Sequence, residues 1–286
     1  MFFTPDLFEH NKSSSTAKTE GSNKQQLILG AIIGDIIGSV FEWNNVKTVD
    51  FEMFGNGTDF TDDSVLTFAT MDAILKDIDF ATAYQAYGRK FPHRGYGGYF
   101  NSWIHSDDPK PYNSYGNGSA MRVSPVGWAY DSLEDVLLQA KRSAEVTHNH
   151  PEGIKGALAT AAAVFLARTG SSKDNIKQYI QGAFRYDLER RIDNIRPVYK
   201  FNETCQETVP EAIIAFLESD DFESAIRLAI SIGGDSDTIA CITGGIAEAF
   251  YKEIPDWMVE KTLRLLPEET IKLIEEFSMK YKTEIN

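Results

Sequence analysis

Apolar positions recur at three- and four-residue spacing along most of this chain, and the strict alternation that marks strands is nearly absent. From Gln25 onward the pattern predicts a succession of helices. Gln26 to Val40 is apolar and rich in Ile and Gly, which suits a buried helix. Ser64 to Leu75 puts Val65, Phe68, Ala69 and Ala73 at helical spacing. Ser132 to Val146 opens on Ser132 with Asp135 three residues later, a capping-box-like start. Glu152 to Thr169 is rich in Ala, the strongest helix former. Val209 to Glu218, Phe222 to Ile230 and Thr238 to Tyr251 follow, and a last pair covers Asp256 to Lys282 with a break near Pro267. In the helix from Thr238, residues Ala240, Gly244 and Glu248 share one face with Ala247 nearby, so a neighbour can approach closely there. No tandem repeat and no Pro-rich linker interrupts the series. The expectation is one all-α domain with long loops over residues 24–286.

Residues 1–23 stand apart. Ser13-Ser14-Ser15-Thr16 and Gly21-Ser22-Asn23, with Lys and Glu between, have the composition of a flexible tail. The head of that tail, with Phe2, Phe3, Leu7 and Phe8, is apolar enough to pack on the body or on a partner.

Composition narrows the function classes. At 32.0 kDa and 42% hydrophobic residues, the chain can bury a sizeable core. A net charge of -14 argues against sequence-independent nucleic-acid binding, which needs a basic surface. Two cysteines, Cys205 and Cys241, are too few for a disulfide scaffold. The N-terminus lacks a basic stretch followed by an apolar one, and no apolar run is long enough to span a bilayer, so a cytoplasmic protein without membrane partners is expected.

Four polar signatures carry the chemistry. Thr61-Asp62-Asp63-Ser64 follows the turn-forming run Gly55 to Asp59 and precedes a helix. Gly233-Gly234-Asp235-Ser236-Asp237-Thr238 has the same form, with two glycines that tolerate positive φ before the next helix start. Either could be a helix cap, but a cap uses one such residue. Three or four in a row leave spare oxygens, the ligands that hard divalent cations take. If the two runs face each other, their carboxylates repel severely without counter-ions. His-and-Cys clusters with zinc spacing are absent. The glycines of Gly30-Ala31-Ile32-Ile33-Gly34-Asp35-Ile36-Ile37-Gly38, four apart, permit close helix packing and lack the dinucleotide-binding order. Asp35 needs a partner if buried, and Glu42 ends the segment in a loop from which its carboxylate can reach a metal or substrate. Gly116-Asn117-Gly118-Ser119-Ala120-Met121-Arg122 is a Gly-rich loop whose N–H groups could hold a pyrophosphate. His148, in Thr147-His148-Asn149-His150, either caps a helix C-terminus or contacts a ribose or phosphate. Tyr96, Tyr99, Phe100 and Trp103 are core residues or the wall of a nucleobase site.

Taken in order, these pieces resemble the ADP-ribosylglycohydrolase family, which includes dinitrogenase-reductase-activating glycohydrolase. The resemblance runs from about Leu27 to about Tyr251. Ser64 departs from it where the family often has Thr, but the hydroxyl is kept. Nothing carries over to residues 1–23. The resemblance implies an all-α orthogonal bundle and two Mg²⁺, with Mn²⁺ as the alternative. It implies Thr61, Asp62, Asp63, Asp235, Asp237 and Thr238 as metal ligands and suggests Glu42 as a nearby carboxylate that meets metal or substrate; Asp62, Asp63 and Glu42 are the candidate catalytic carboxylates to accept the proton of an attacking water. It puts Gly116, Asn117, Gly118, Ser119, Met121 and His148 around ADP-ribose. The expected activity is hydrolysis of the bond between ADP-ribose and an acceptor, arginine first, serine or O-acetyl otherwise, on a protein or a small compound. The rival readings are a non-catalytic ADP-ribose binder and an antidote that docks on an ADP-ribosyltransferase through its tail.

Overall fold

The computed structural model describes residues 27–282, so the tail and any docking role for it lie outside the described residues. Fifteen α-helices occur among them and no strand, only an isolated bridge between Gly116 and Thr204. In chain order they are α1 (Gly30–Gly38), α2 (Asp62–Lys76), α3 (Phe80–Lys90), α4 (Gly98–Ile104), α5 (Gly118–Met121), α6 (Ser124–Ala129), α7 (Leu133–Glu145) and α8 (Pro151–Arg168). Then follow α9 (Lys173–Phe184), α10 (Ile192–Ile195), α11 (Cys205–Glu218), α12 (Phe222–Ser231), α13 (Ser236–Tyr251), α14 (Asp256–Leu265) and α15 (Glu268–Tyr281). No described helix is long and apolar enough to cross a membrane.

The centre of the bundle is α1 laid antiparallel against α13, both almost wholly buried. Their contact is made by small residues. A Cβ on Gly30 would meet the Gly244 carbonyl, one on Gly34 the Ala240 carbonyl, and one on Gly38 the Asp237 backbone. This is the close approach that the four-residue glycine spacing predicts. It also sets the site, because the α1 C-terminus is thereby held against the α13 N-terminus. At the other end Glu248 of α13, buried, accepts from the Leu29 and Gly30 N–H groups at 3.0 and 2.6 Å. Those are orphan donors of the α1 N-terminus. Lys282 neutralises Glu248 at 2.6 Å. Helix α8 fills the next layer, packing on α5, α6, α7, α11 and α13.

The helices read from the sequence are present, with ends shifted by a few residues. Several others were not read. Of these α9 had a legible signal, since Ile176, Ile180 and Phe184 recur every four residues and are buried. The short helices α4, α5, α6 and α10, of four to seven residues, hold too few turns for periodicity to register.

Candidate active site

One cavity of about 290 Å³ collects most of the residues singled out above. Its lining includes Glu42, Thr61, Asp62, Asp63, Asp235, Asp237 and Thr238, together with Gly116, Asn117, Gly118, Met121 and His148.

Thr61 is both cap and wall. Its Oγ1 accepts from the Asp63 N–H, capping α2, and donates to Asp35 Oδ1 at 2.5 Å. Asp35 was read only as a buried acid in need of a partner. It has four donors: the Thr61 and Ser64 N–H groups, each at 3.0 Å, and both hydroxyls. Burial raises its pKa and these bonds oppose the rise. Asp35 thus clamps the turn that aims Asp62 and Asp63 into the cavity. Ser64 serves this clamp with the hydroxyl that it shares with Thr.

On the α13 side the capping explanation fails for Asp235, whose side chain makes no cap bond. Its Oδ2 accepts instead from Asn117 Nδ2 at 2.7 Å. Asn117 is therefore committed to a carboxylate as well as lining the cavity. Gly233 and Gly234 both have positive φ, 74° and 77°, as their turn requires. Thr238 Oγ1 bonds Asp63 Oδ1 at 3.4 Å, joining the two acidic runs.

Glu42 is brought in by residues that the sequence did not single out. Asn45 Nδ2 donates to the Phe41, Glu42 and Gly234 carbonyls, and Asn45 Oδ1 accepts from the Gly234 N–H. Lys47 Nζ donates to the Ile232 and Tyr199 carbonyls. The loop after α1 is thus tied to the turn before α13, and oxygens of Glu42, Asp235 and Asp237 come within 4.8 Å of one another.

One expectation is corrected. Ser119 does not line the cavity: it sits in α5, fully buried, and its hydroxyl donates to the Gly153 carbonyl at 2.7 Å. His148 is buried at the cavity, and burial, then the Arg122 charge, push its pKa well down. Of the aromatics, Phe100 and Trp103 belong to the core, Phe100 also lining the cavity, and exposed Tyr99 stacks on Tyr112 at the cavity wall.

The electrostatics are those of a crowded, buried acidic site. Burial, then neighbouring carboxylates, raise Asp62, Asp63 and Asp237 well above the ordinary range. Glu42 is pushed up to about 7 by burial, then by Asp235 and Glu203. Asp63 Oδ2 is buried with no hydrogen-bond partner among the described residues. An all-oxygen set of carboxylates and hydroxyls, with one carboxylate oxygen orphaned, fits a hard divalent cation.

The crowding has a testable sign. A carboxyl raised by folding keeps protons in the folded protein that the unfolded chain has already released. Stability therefore falls as pH rises, for Glu42 between the unfolded value of 4.5 and about 7. Protein in EDTA is expected to melt several degrees lower at pH 8 than at pH 5, and Mg²⁺ to restore most of the loss at pH 8. An EDTA melting temperature that does not fall over this range would contradict the acidic-crowding account.

An all-α bundle that gathers these signatures in one cavity defines a class. The family model for ADP-ribosylglycohydrolase matches residues 21–285, and the chain belongs to that family, an enzyme of the glycosyl-hydrolase kind. Among curated relatives, ADP-ribosylhydrolase ARH3 of Gallus gallus is 29% identical over 316 aligned residues, covering 80% of this chain and 86% of that protein. ARH3 of Homo sapiens is 28% identical, covering 78% and 84%. ADP-ribosylarginine hydrolase Tri1 of Pseudomonas putida is 26% identical, covering 82% and 72%. A solved structure described as an ADP-ribosylglycohydrolase-related protein complex matches with a TM-score of 0.69 at 25% identity, over 88% of this chain and 95% of that one.

Proposed function

We propose that this protein removes ADP-ribose from an acceptor by metal-dependent hydrolysis, with an arginine guanidinium as the acceptor. The observation that carries this reading is the convergence of Thr61, Asp62, Asp63, Asp235, Asp237, Thr238 and Glu42 on one cavity shared with the Gly116–Gly118 loop and His148. Two Mg²⁺ (or Mn²⁺) would be held by Thr61, Asp62, Asp63, Asp235, Asp237 and Thr238, with Glu42 within reach. When bound, the ions supply charge for the ribose hydroxyls and an acidified water.

The chain's own groups do the rest. Cleavage at the anomeric carbon builds oxocarbenium character, which the surrounding carboxylates stabilise. Asp62, Asp63 or Glu42 accepts the proton of the attacking water. Asn117 fixes Asp235, Asp35 fixes the Thr61–Ser64 turn, and Asn45 fixes the Glu42 loop.

The acceptor assignment rests on the cavity mouth. Glu203 lines it, exposed and without a cation partner among the described residues. Exposed Trp43, next to Glu42 in sequence, stacks on Phe201, two residues from Glu203, with ring centroids 4.9 Å apart. Carboxylates next to an aromatic face suit a guanidinium, which bonds the former and stacks on the latter. A serine hydroxyl or an O-acetyl group would use neither. A relative named for ADP-ribosylarginine agrees with this.

Release of free ADP-ribose from arginine-linked, serine-linked and O-acetyl substrates, with Mg²⁺ and with EDTA, tests the reading. Release is expected from the arginine linkage, with Mg²⁺ only. Glu203→Gln should raise KM for that substrate about tenfold, the loss of one charge-assisted hydrogen bond, with kcat little changed. Faster release from the serine linkage would remove the guanidinium assignment. Release undiminished in EDTA would remove the metal.

A further inference from the structure

Arg122 is the largest fully buried side chain, with no carboxylate partner among the described ion pairs. Its guanidinium lies 4.1 Å over the Tyr84 ring. Nη2 donates to the Ser143 carbonyl at 2.7 Å and to Thr147 Oγ1 at 2.8 Å. Thr147 Oγ1 in turn lies 2.7 Å from His148 Nδ1. His148 Nε2 has no described partner and faces the glycine loop, 3.2 Å from where a Gly118 Cβ would be and 3.6 Å from that of Gly116.

Proton counting decides what this chain of contacts does. A guanidinium cannot accept, so Thr147 Oγ1 must accept from Arg122. The hydroxyl proton then needs an acceptor, and Thr147 is fully buried. His148 Nδ1 is the one acceptor in reach among the described residues. Were Nδ1 protonated, two donors would face the hydroxyl and its own proton would be buried without a partner. We infer that Arg122 and Thr147 act as a relay that fixes His148 in the Nε2–H tautomer, making it a neutral hydrogen-bond donor aimed into the cavity. In this relay Thr147 and Arg122, which also lines the cavity, are positioning residues that act through His148. The ligand atom opposite Nε2 is then an acceptor, the class to which diphosphate oxygens belong. This last step rests on the ADP-ribose reading, whereas the relay does not.

Long-range proton–nitrogen NMR on uniformly ¹⁵N-labelled protein reads the tautomer directly, with the His148 signals assigned by their loss in His148→Gln. The expected result is a single Nε2–H form, unchanged from about pH 5.5 to about pH 8. Thr147→Val should release the tautomer preference and weaken binding of ADP-ribose, the probe, about tenfold, the equivalent of one hydrogen bond. Thr147→Ser should restore both. An Nδ1–H form in the wild-type protein overturns the relay even if the valine variant fails to fold. So does an Nε2–H preference that survives in folded Thr147→Val. Wild-type protein with the Nε2–H form but no affinity for ADP-ribose would keep the relay and overturn the ligand reading.

Discussion

Asp237→Ala is expected to cut turnover at least about a thousandfold while raising the melting temperature of metal-stripped protein by a few degrees. The two effects have one cause. Asp237 lies at the first turn of α13 among Asp235, Asp63 and Glu42, and burial plus those carboxylates push its pKa well up. Without a cation it would be a source of repulsion, and in the proposed metal site it would be a ligand. Removing it relieves the former and destroys the latter. The smaller side chain also fits, because the contact with Gly38 is made by Asp237 backbone. Steady-state hydrolysis measures the first effect and thermal melts in EDTA the second. Near-normal turnover would exclude Asp237 from the site, and a lower melting temperature in EDTA would refute the repulsion.

Gly34→Ala should destabilise the protein by about 3 kcal/mol or more, the upper end of overpacking effects, with loss of soluble protein as the extreme outcome. The usual rule has the opposite sign, since Ala in a helix interior is worth roughly 0.5–1 kcal/mol over Gly. Here the added methyl would run into the Ala240 carbonyl and the Cys241 nitrogen, which are backbone atoms of α13. Neither can rotate away. The helices would have to separate, taking the α13 N-terminus with its carboxylates away from the α1 loop. Gly182, exposed on the outer face of α9, is the control, because a Cβ there meets nothing within 4 Å. Gly182→Ala should raise stability slightly. Denaturant melts of both variants decide the matter, and a Gly34→Ala protein as stable as wild type would mean that the α1–α13 contact is looser than described.

Much of the architecture was readable because it is written in local repetition. Glycines every fourth residue in α1 match the small-residue face of α13, and each pattern alone predicts a close neighbour. The two runs of Thr, Asp and Ser were conspicuous because they exceed what capping needs. Glu203, Asn45 and Asp35 were not read as site residues, for a physical reason in each case. Their roles depend on partners far away in sequence: Glu203 on Glu42 and Asp235, Asn45 on Gly234, and Asp35 on Thr61 and Ser64. Ser119 was misread for the converse reason. It stands inside a Gly-rich loop motif, but the first turn of α5 points its hydroxyl at Gly153.

The sequence by itself determined the all-α class, the main helices, the tight glycine seam and the acidic runs with the oxygen-donor chemistry that suits hard cations. These follow from spacing and donor chemistry, which act over a few residues. Only the tertiary structure decided that the runs share one cavity, that Glu42 is tied beside Asp235, and that a buried arginine stands behind His148. Those are matters of which distant backbones can approach, and a side chain's chemistry says what it can bind but not what the fold sets beside it.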